Sequence, residues 1–269
     1  MNEESRSQPL TVLLSREELL AILDVLRAPT IPGLDREPTG ELAPDQQAFA
    51  VVVARRALLA RELAQIRADG ELLVHRALLT AVGVCAYSQD AVLAYHWPSG
   101  GQAPHRLFGH IRGADVVVHT RPSAVLHRFT LLQSKEDLVN QVLAFCECGD
   151  VPVAQPLEFT VPRQDFADAR QLASAGDAAR ATALLTQAGV PNAAAGALVS
   201  TLVSSPRVSI LQTLKQQGNQ AVRSREFTLV QNGKHAWWVA PAAGQEAKAP
   251  LLVKTATAEE IRDLLAKSL

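Results

Sequence analysis

The sequence has few aromatic residues, few cysteines and no long uninterrupted apolar run. Aromatic residues make up 4% of its 269 positions. Acidic and basic residues are nearly balanced, with 27 Asp and Glu against 26 Lys and Arg, so there is no overall positive charge to gather phosphate groups. Nucleic acid is therefore not expected as the main partner. The 48% of hydrophobic residues and 20% of charged residues are typical of a folded globular protein.

The N-terminal residues lack the features of a secretory signal. Met1–Ser5 is acidic and polar, whereas a signal carries a basic patch followed by an apolar stretch. The most apolar long segment, Phe49–Ile66, contains three arginines and one glutamate, which are too many charges for a membrane span of about 20 residues. We therefore expect a cytoplasmic protein that does not insert into membranes.

The three cysteines, Cys85, Cys146 and Cys148, are an odd and sparse set that suits reduced thiols better than a disulfide framework. Cys146 and Cys148 form a C-x-C pair. No second cysteine or histidine pair accompanies it at the spacing of a structural zinc site. Buried or bystander cysteines are therefore favoured over metal ligands.

The common catalytic motifs are absent, including the G-x-S-x-G elbow, the phosphate-binding loop and the dinucleotide fingerprint. Seven histidines lack the H-E-x-x-H spacing, and solvated or hydrogen-bonded side chains are favoured over ligands or bases. Ser99–Gly101 stands between two predicted strands and opens no helix, so a hairpin loop is favoured over a nucleotide site. We expect no catalytic residue, no cofactor and no enzymatic activity, although groups that converge only in the fold leave no such signal.

Strand-to-helix units recur along the chain. The apolar run Leu10–Leu14 leads into the S-x-x-E capping box Ser15–Glu18, which opens a helix. In the same way, Leu157–Val161 leads into a helix that begins behind Pro162. These two units predict that the chain contains a repeated beginning.

A second pair of units predicts a repeated end. Phe129–Gln133 leads into a helix capped by Ser134, and Leu252–Ala256 leads into a helix capped by Thr257. Both helices continue with apolar residues at helical spacing. Duplication is favoured, and coincidence between common strand-helix units is the alternative.

Between these anchors, each half has predicted helices followed by predicted strands. The predicted helices are Ala48–Ala68, Glu71–Val82, Ala178–Ala188 and Asn192–Ser204. The predicted strands are Cys85–Trp97, Arg106–Ile111, Asp115–Thr120, Val208–Leu214, Glu226–Gln231, Ala236–Ala240 and Leu251–Lys254. Arg112–Gly113 and Asn232–Gly233 predict tight hairpin turns, so the strands are expected to pair antiparallel.

This order of elements predicts the fold class and the organisation of the chain. We expect an α+β fold with a central antiparallel sheet and two helical bundles. The chain is expected to be a single domain of two related halves, about residues 8–150 and 154–269. A pseudo-twofold axis is expected to relate the two halves.

One succession of segments extends over nearly the whole chain and is characteristic in its order. Its members are Leu10–Ser15, Ala114–His119, the helix after Ser134, Phe159–Pro162, Ala188–Pro191, the small-residue helix ending at Ser204, and Leu251–Leu269. In this order and in total length the chain resembles the EspG family of chaperones that serve bacterial type VII secretion. The order of elements carries the resemblance, since the family has no catalytic motif to match.

The resemblance implies a cytosolic chaperone or adaptor that binds the hydrophobic helical tip of a secretion substrate. The implied partner is a secreted helical protein, either the PPE subunit of a PE–PPE heterodimer or a WXG-like heterodimer, and no small-molecule substrate is expected. An apolar groove with a polar rim would mask such a tip without nucleotide. The alternative from another class is an enzyme or small-ligand-binding protein that uses the groove between sheet and helices.

The helix Asn192–Ser204 is apolar around most of its circumference and contains many small side chains. We predict Ala194, Leu198 and Leu202 as partner contacts, so that Asp at Leu198 or Leu202 would abolish binding in a protein that stays folded. The alternative is burial, since a helix that is apolar all round is usually a core helix. An Asp substitution at a core position would lower the melting temperature of the protein sharply.

Trp237 and Trp238 follow each other on one predicted strand. Successive side chains of a strand point to opposite faces, so one of the two is expected to join the core and the other to lie outward. An outward Trp is a common contact residue in protein interfaces. Both are therefore included among the predicted partner-binding residues.

Overall fold

The computed structural model describes residues 10–34, 42–98, 103–149, 156–217, 220–242 and 249–269, and it confirms the predicted α+β class. In chain order, the helices are α1 (Arg16–Leu26), α2 (Pro44–Ala60), α3 (Arg76–Ala86), α4 (Lys135–Phe145), α5 (Arg163–Ser174), α6 (Ala178–Gln187), α7 (Asn192–Val203) and α8 (Ala258–Ala266). The strands are β1 (Thr11–Ser15), β2 (Ala64–Ile66), β3 (Leu72–Val74), β4 (Asp90–Trp97), β5 (His105–Arg112), β6 (Asp115–Ser123), β7 (Leu126–Leu132), β8 (Glu158–Val161), β9 (Arg207–Gln217), β10 (Gln220–Gln231), β11 (Ala236–Pro241) and β12 (Leu251–Thr255). The glycine-rich run Ser99–Gly101 lies outside the described residues.

Ten of these strands form one antiparallel sheet, and β2 and β3 form a separate hairpin. Contacts within the chain define two compact units: unit 1 lies within residues 1–91 and 107–138, and unit 2 lies within 92–106 and 139–269. The predicted halves, 8–150 and 154–269 within a single domain, stay a prediction. No helix in the described part of the chain is both long enough and apolar enough to span a bilayer.

The first helix begins where the sequence pattern placed it. The backbone N–H of Glu18 donates to Ser15 Oγ at 3.1 Å, and the N–H of Ser15 donates to Glu18 Oε2 at 2.8 Å. This reciprocal capping box satisfies two N–H groups that a helix start leaves without partners. The helix then packs against α2 and α3 and buries Leu19, Ile22 and Leu23 in the core of unit 1.

In the region of the predicted helices Ala48–Ala68 and Glu71–Val82, part of the prediction is wrong. Helix α2 ends at Ala60, and the hairpin of β2 and β3 follows before α3 begins. The hairpin turns at Asp69-Gly70, where Gly70 has a φ of +86° and the Asp69 carboxylate accepts the N–H of Glu71 at 3.0 Å. An Asp-Gly pair is a strong turn signal, which outweighs the apolar helical spacing around it.

The strand pairing repeats between the two units. In unit 1, β1 pairs with β7, which is followed by β6 and β5. In unit 2, β8 pairs with β12, which is followed by β11, β10 and β9. The predicted hairpin turns are confirmed at Gly113 and Gly233, with φ of +60° and +80°. This shared order is what duplication predicts, while the pseudo-twofold axis stays a prediction.

In unit 2, α5, α6 and α7 pack against one another and against one face of the sheet. The pairing register places Val230 of β10 directly opposite Trp237 of β11, so these side chains share that face. Phe159 and Val253, from β8 and β12, complete the sheet side of the same core. The three helices are the second of the two predicted helical bundles.

Arg61, just after α2, connects this helix to the first strand and the first helix. Its Nη1 donates to both carboxylate oxygens of Glu18, at 2.8 and 2.7 Å, and its Nη2 donates to the Leu13 carbonyl at 2.7 Å. We expect Arg61→Ala to lower the free energy of unfolding by about 2 kcal/mol, because the Glu18 side chain is only 5% exposed and loses its cation. Urea denaturation followed by circular dichroism measures the change.

Arg55→Ala is the matched control for this substitution. Arg55 donates to Asp24 at 2.8 Å, but the two side chains are 43% and 66% exposed. An ion pair in such exposed positions contributes below about 1 kcal/mol. Equal losses in the two variants would contradict the importance of the buried Glu18 carboxylate.

Candidate binding groove

An open groove of ≈ 340 Å³ lies in unit 2 between α5 and the sheet. Five residues of α5 form its wall: Arg163, Phe166, Ala167, Arg170 and Ser174. They recur at intervals of three and four residues, which places them on one face of the helix. Ala169 and Ala173, on the adjacent face of the helix, are buried in the bundle core. The wall is thus held rigidly by the packing behind it.

The floor of the groove is apolar. Val208 of β9 and Val230 of β10 lie directly opposite each other in the sheet, and Val239 of β11 continues the surface. Leu251 of β12 also lines the floor, as does Leu202 near the end of α7. An apolar floor beneath a wall that carries two guanidinium groups suits an apolar segment with anionic neighbours.

Two polar side chains that line the groove are hydrogen-bonded within the protein. The Glu226 carboxylate accepts a hydrogen bond from Gln212 Nε2 at 2.7 Å, and the Ser174 hydroxyl donates to the Arg170 carbonyl at 2.9 Å. Arginine stays charged in proteins and does not act as a base at neutral pH. Among the described residues that line the groove, none is a histidine or a cysteine.

A histidine, a serine and a glutamate converge at a different place in unit 2. His96 Nδ1 lies 2.9 Å from Ser209 Oγ, and His96 Nε2 lies 3.7 Å from Glu147 Oε1. Burial lowers the pKa of His96. His96 and Ser209 are buried and do not line the groove, so a molecule bound there does not reach the serine hydroxyl. The sequence did not reveal this cluster because its members lie on three separate elements.

The predicted contacts on α7 lie in the bundle core. Ala194 and Leu198 are buried there, which is the alternative that the sequence left open for this helix. Leu202 is also largely buried, but it lines the groove as well. Leu202 therefore remains a proposed contact, whereas α5, which sequence reasoning did not select, supplies the exposed wall.

The two tryptophans point to opposite faces of β11, but neither lies outward, so the prediction of an outward Trp is wrong. Trp237 is fully buried, and its Nε1 donates to Thr201 Oγ1 at 3.0 Å. Its ring meets Phe159 edge-on, with centroids 6.2 Å apart. Trp238 is 7% exposed and stacks on Phe227 at 3.8 Å between centroids. Both faces of this strand are covered, since an inner strand of a packed sheet can bury side chains on each side.

Three histidines of unit 1 are buried. His119 Nδ1 donates to the Pro32 carbonyl, 3.2 Å away, because a carbonyl oxygen only accepts. The neutral His119 therefore accepts through Nε2, which makes His127 Nδ1 the donor across the 2.9 Å that separate them. His110 is also fully buried, 3.5 Å from Ser88 Oγ. In the described residues, no group of three or more His, Cys, Asp and Glu side chains is arranged to hold a metal ion.

These histidines predict loss of stability in acid. Burial lowers the pKa of His110 to about 4, and burial also lowers the pKa of His119 well below its usual value. An unfolded chain protonates histidine below a pH of about 6.5, so the unfolded state binds more protons between about 6.5 and 4. The free energy of unfolding therefore falls as the pH falls through this window, by about 3 kcal/mol for His110 alone. Urea denaturation at a series of pH values measures it.

His110→Gln should reduce this pH dependence by the share of His110, since glutamine does not titrate, and His119 should still contribute its own share. The control is His105→Gln, which makes the same exchange at an exposed position. Unfolding free energies that stay constant between about pH 7 and 4.5 would contradict the prediction.

No protein-family model matches the chain, and no curated protein matches it. The chain is similar to a solved structure, that of the Mycobacterium tuberculosis type VII secretion system chaperone EspG5 in complex with the PE25–PPE41 dimer. The TM-score is 0.69, and the match covers 96% of this chain and 95% of the matched chain. The chain has the EspG fold.

The EspG fold confirms the resemblance that the order of elements indicated. Sequence identity to the matched chain is 13%, which is too low to carry partner or residue roles across. The apolar groove between α5 and the sheet is therefore the feature of this chain's own residues from which a function is argued.

Proposed function

We propose that the protein is a secretion chaperone that binds the hydrophobic helical tip of a type VII secretion substrate. The observation that carries the proposal is an apolar groove in a chain with the EspG fold. The proposed partner is a helical heterodimer, PPE-like or WXG-like, and the proposed location is the cytosol. Masking the tip keeps the substrate soluble, because exposed apolar ends of helices associate in water.

The groove also sets a chemical requirement on the partner. Leu202, Val230 and Leu251 provide an apolar surface, and Arg163 and Arg170 are exposed along the wall. A tip that places a carboxylate beside its apolar side chains would pair with these guanidinium groups at the edge of the contact. Such pairs favour correct partners more than they raise affinity.

The proposed binding to this groove requires no nucleotide. Burial of apolar surface supplies the affinity, and it amounts to about 25 cal/mol for each Å² removed from water. Release then occurs when another surface, at the secretion machinery, competes for the tip. This places the protein before export, as a carrier of its substrate.

A small ligand is the second candidate occupant of the groove. Its volume of ≈ 340 Å³ is within the range of small-molecule pockets, which is roughly 300 to 1,000 Å³. The lining chemistry would favour an amphipathic anion, since two arginines accompany the apolar floor. This alternative would be supported if no protein partner bound the chain and a fatty acid bound it saturably.

The test is co-expression of the chain with each PE–PPE or WXG-type dimer of its host. We expect one dimer to elute with the chain in size-exclusion chromatography, with a mass by light scattering that equals one copy of each component. The dimer alone should aggregate at concentrations where the complex stays soluble. Separate elution of every dimer would contradict the proposed function.

A further inference from the structure

The two cysteines of the C-x-C pair meet at the end of α4, outside the groove. The helix ends in a left-handed turn at Glu147, which has a φ of +51°. The N–H of Glu147 donates to the Ala144 carbonyl at 3.1 Å, and the N–H of Cys148 donates to the Leu143 carbonyl at 3.0 Å. This pair of bonds is the Schellman arrangement of a helix end. The turn places the Cys146 and Cys148 side chains next to each other.

Polar groups from two neighbouring strands hold this pair in place. Ser209 Oγ lies beside Cys146 and 2.9 Å from His96 Nδ1. Gln231 Nε2 donates to the Cys146 carbonyl at 3.1 Å and to the Cys148 sulfur at 3.9 Å. Cys146 is fully buried, whereas Cys148 is partly exposed. Cys148 is therefore the more accessible of the two cysteines.

Of the two cysteines, the more exposed one also has the lower pKa. The hydrogen bond from Cys146 lowers the pKa of Cys148. The same hydrogen bond, together with burial, raises the pKa of Cys146. Because the thiolate is the reactive form of cysteine and Cys148 is the less buried of the two, we assign Cys148 as the nucleophile of the pair. Cys85 is buried, and burial raises its pKa well above the usual value.

We propose that Cys146 and Cys148 form a redox-active pair that a hydroperoxide converts into a disulfide. The Cys148 sulfur attacks one oxygen of hydrogen peroxide, the O–O bond breaks, and Cys148 becomes a sulfenic acid. The hydroxide that leaves combines with the proton lost from the Cys148 thiol to form water. This is the usual first step of thiol oxidation, and it needs an accessible thiolate.

In the second step, the Cys146 sulfur attacks the Cys148 sulfur. The S–S bond forms, the S–O bond of the sulfenic acid breaks, and the departing hydroxide takes the Cys146 proton as water. The two thiols together lose two electrons, and one hydrogen peroxide is reduced to two molecules of water. Because the tight turn at Glu147 keeps the two cysteines close, we expect this step to be faster than further oxidation of Cys148.

The test treats the reduced full-length protein with hydrogen peroxide, alkylates the remaining thiols and maps the peptides by mass spectrometry. We expect a disulfide between Cys146 and Cys148, alkylated Cys85, and recovery of both thiols on addition of dithiothreitol. Three alkylated cysteines would overturn the proposal. So would a Cys148 that proceeds to sulfinic or sulfonic acid while Cys146 stays free.

Two serine variants separate the roles of the pair. Cys146→Ser should stop at the sulfenic acid of Cys148, which dimedone traps. Cys148→Ser should slow the oxidation of Cys146 about tenfold or more, because the buried thiol has little thiolate. Circular dichroism tests whether each variant is folded. If Cys146→Ser is unfolded, the oxidation rate of Cys148→Ser alone tests the proposal. Oxidation of Cys146 at the unaltered rate in Cys148→Ser would overturn the assignment.

Discussion

Leu198→Asp is expected to unfold unit 2 rather than to disturb a surface of the folded protein. Leu198 is fully buried in the core of the α5–α7 bundle, where Leu185 and Val253 are members of the same apolar cluster. A carboxylate placed there loses its hydration in apolar surroundings, which costs about 4 kcal/mol or more. That is a large part of the roughly 5 to 15 kcal/mol that stabilise a typical domain.

The matched control is Ser200→Asp on the same helix. Ser200 is exposed, so the same charge stays hydrated, and we expect a change within about 1 kcal/mol. Thermal melts and urea denaturation, both followed by circular dichroism, compare the two variants. If Leu198→Asp melted at the temperature of Ser200→Asp, α7 would not be a core helix. Because Leu198 is buried, we no longer expect its Asp variant to stay folded.

Ala167→Glu is expected to weaken capture of the substrate dimer by about a hundredfold, or about 2.7 kcal/mol, while the chaperone stays folded. Ala167 lies on the groove side of α5 and is partly exposed, so the larger side chain has room to leave the core intact. Glutamate and alanine both favour helices, which preserves α5. The new carboxylate occupies the groove, and a bound tip would have to dehydrate it.

Gln171→Glu is the control for this variant. Gln171 is exposed on the same helix and does not line the groove, and its replacement adds the same negative charge. Isothermal titration calorimetry with the dimer found by co-expression compares the two affinities, and melting curves confirm the fold. Unaltered affinity in Ala167→Glu would show that the tip binds elsewhere. Equal weakening in both variants would indicate a general effect of charge.

The local signals of the sequence predicted the elements well where capping residues mark their ends. Ser15 and Glu18 form the expected capping box, and Thr257 and Glu260 form the corresponding one before α8. A cap acts between residues three positions apart, so its signal is complete within the sequence. The same holds for Asn232-Gly233, whose turn needs only two residues.

The prediction failed where two local signals compete. Apolar spacing favoured helices on both sides of Asp69-Gly70, and the turn at this pair instead joins β2 to β3. Short apolar runs fit a strand as well as a helix, and periodicity alone does not separate them. The turn residues were the better guide to this hairpin.

The sequence by itself determined the α+β class, most of the helices and strands, and the order of elements that led to the EspG resemblance. All of these depend on interactions between residues that are close along the chain. The depth of α7 in the bundle, the covering of Trp238 and the groove beneath α5 were decided by the tertiary structure. The same is true of the contact between His96 and Ser209. An apolar side chain carries no record of which neighbour covers it, because burial depends on elements that meet only after folding.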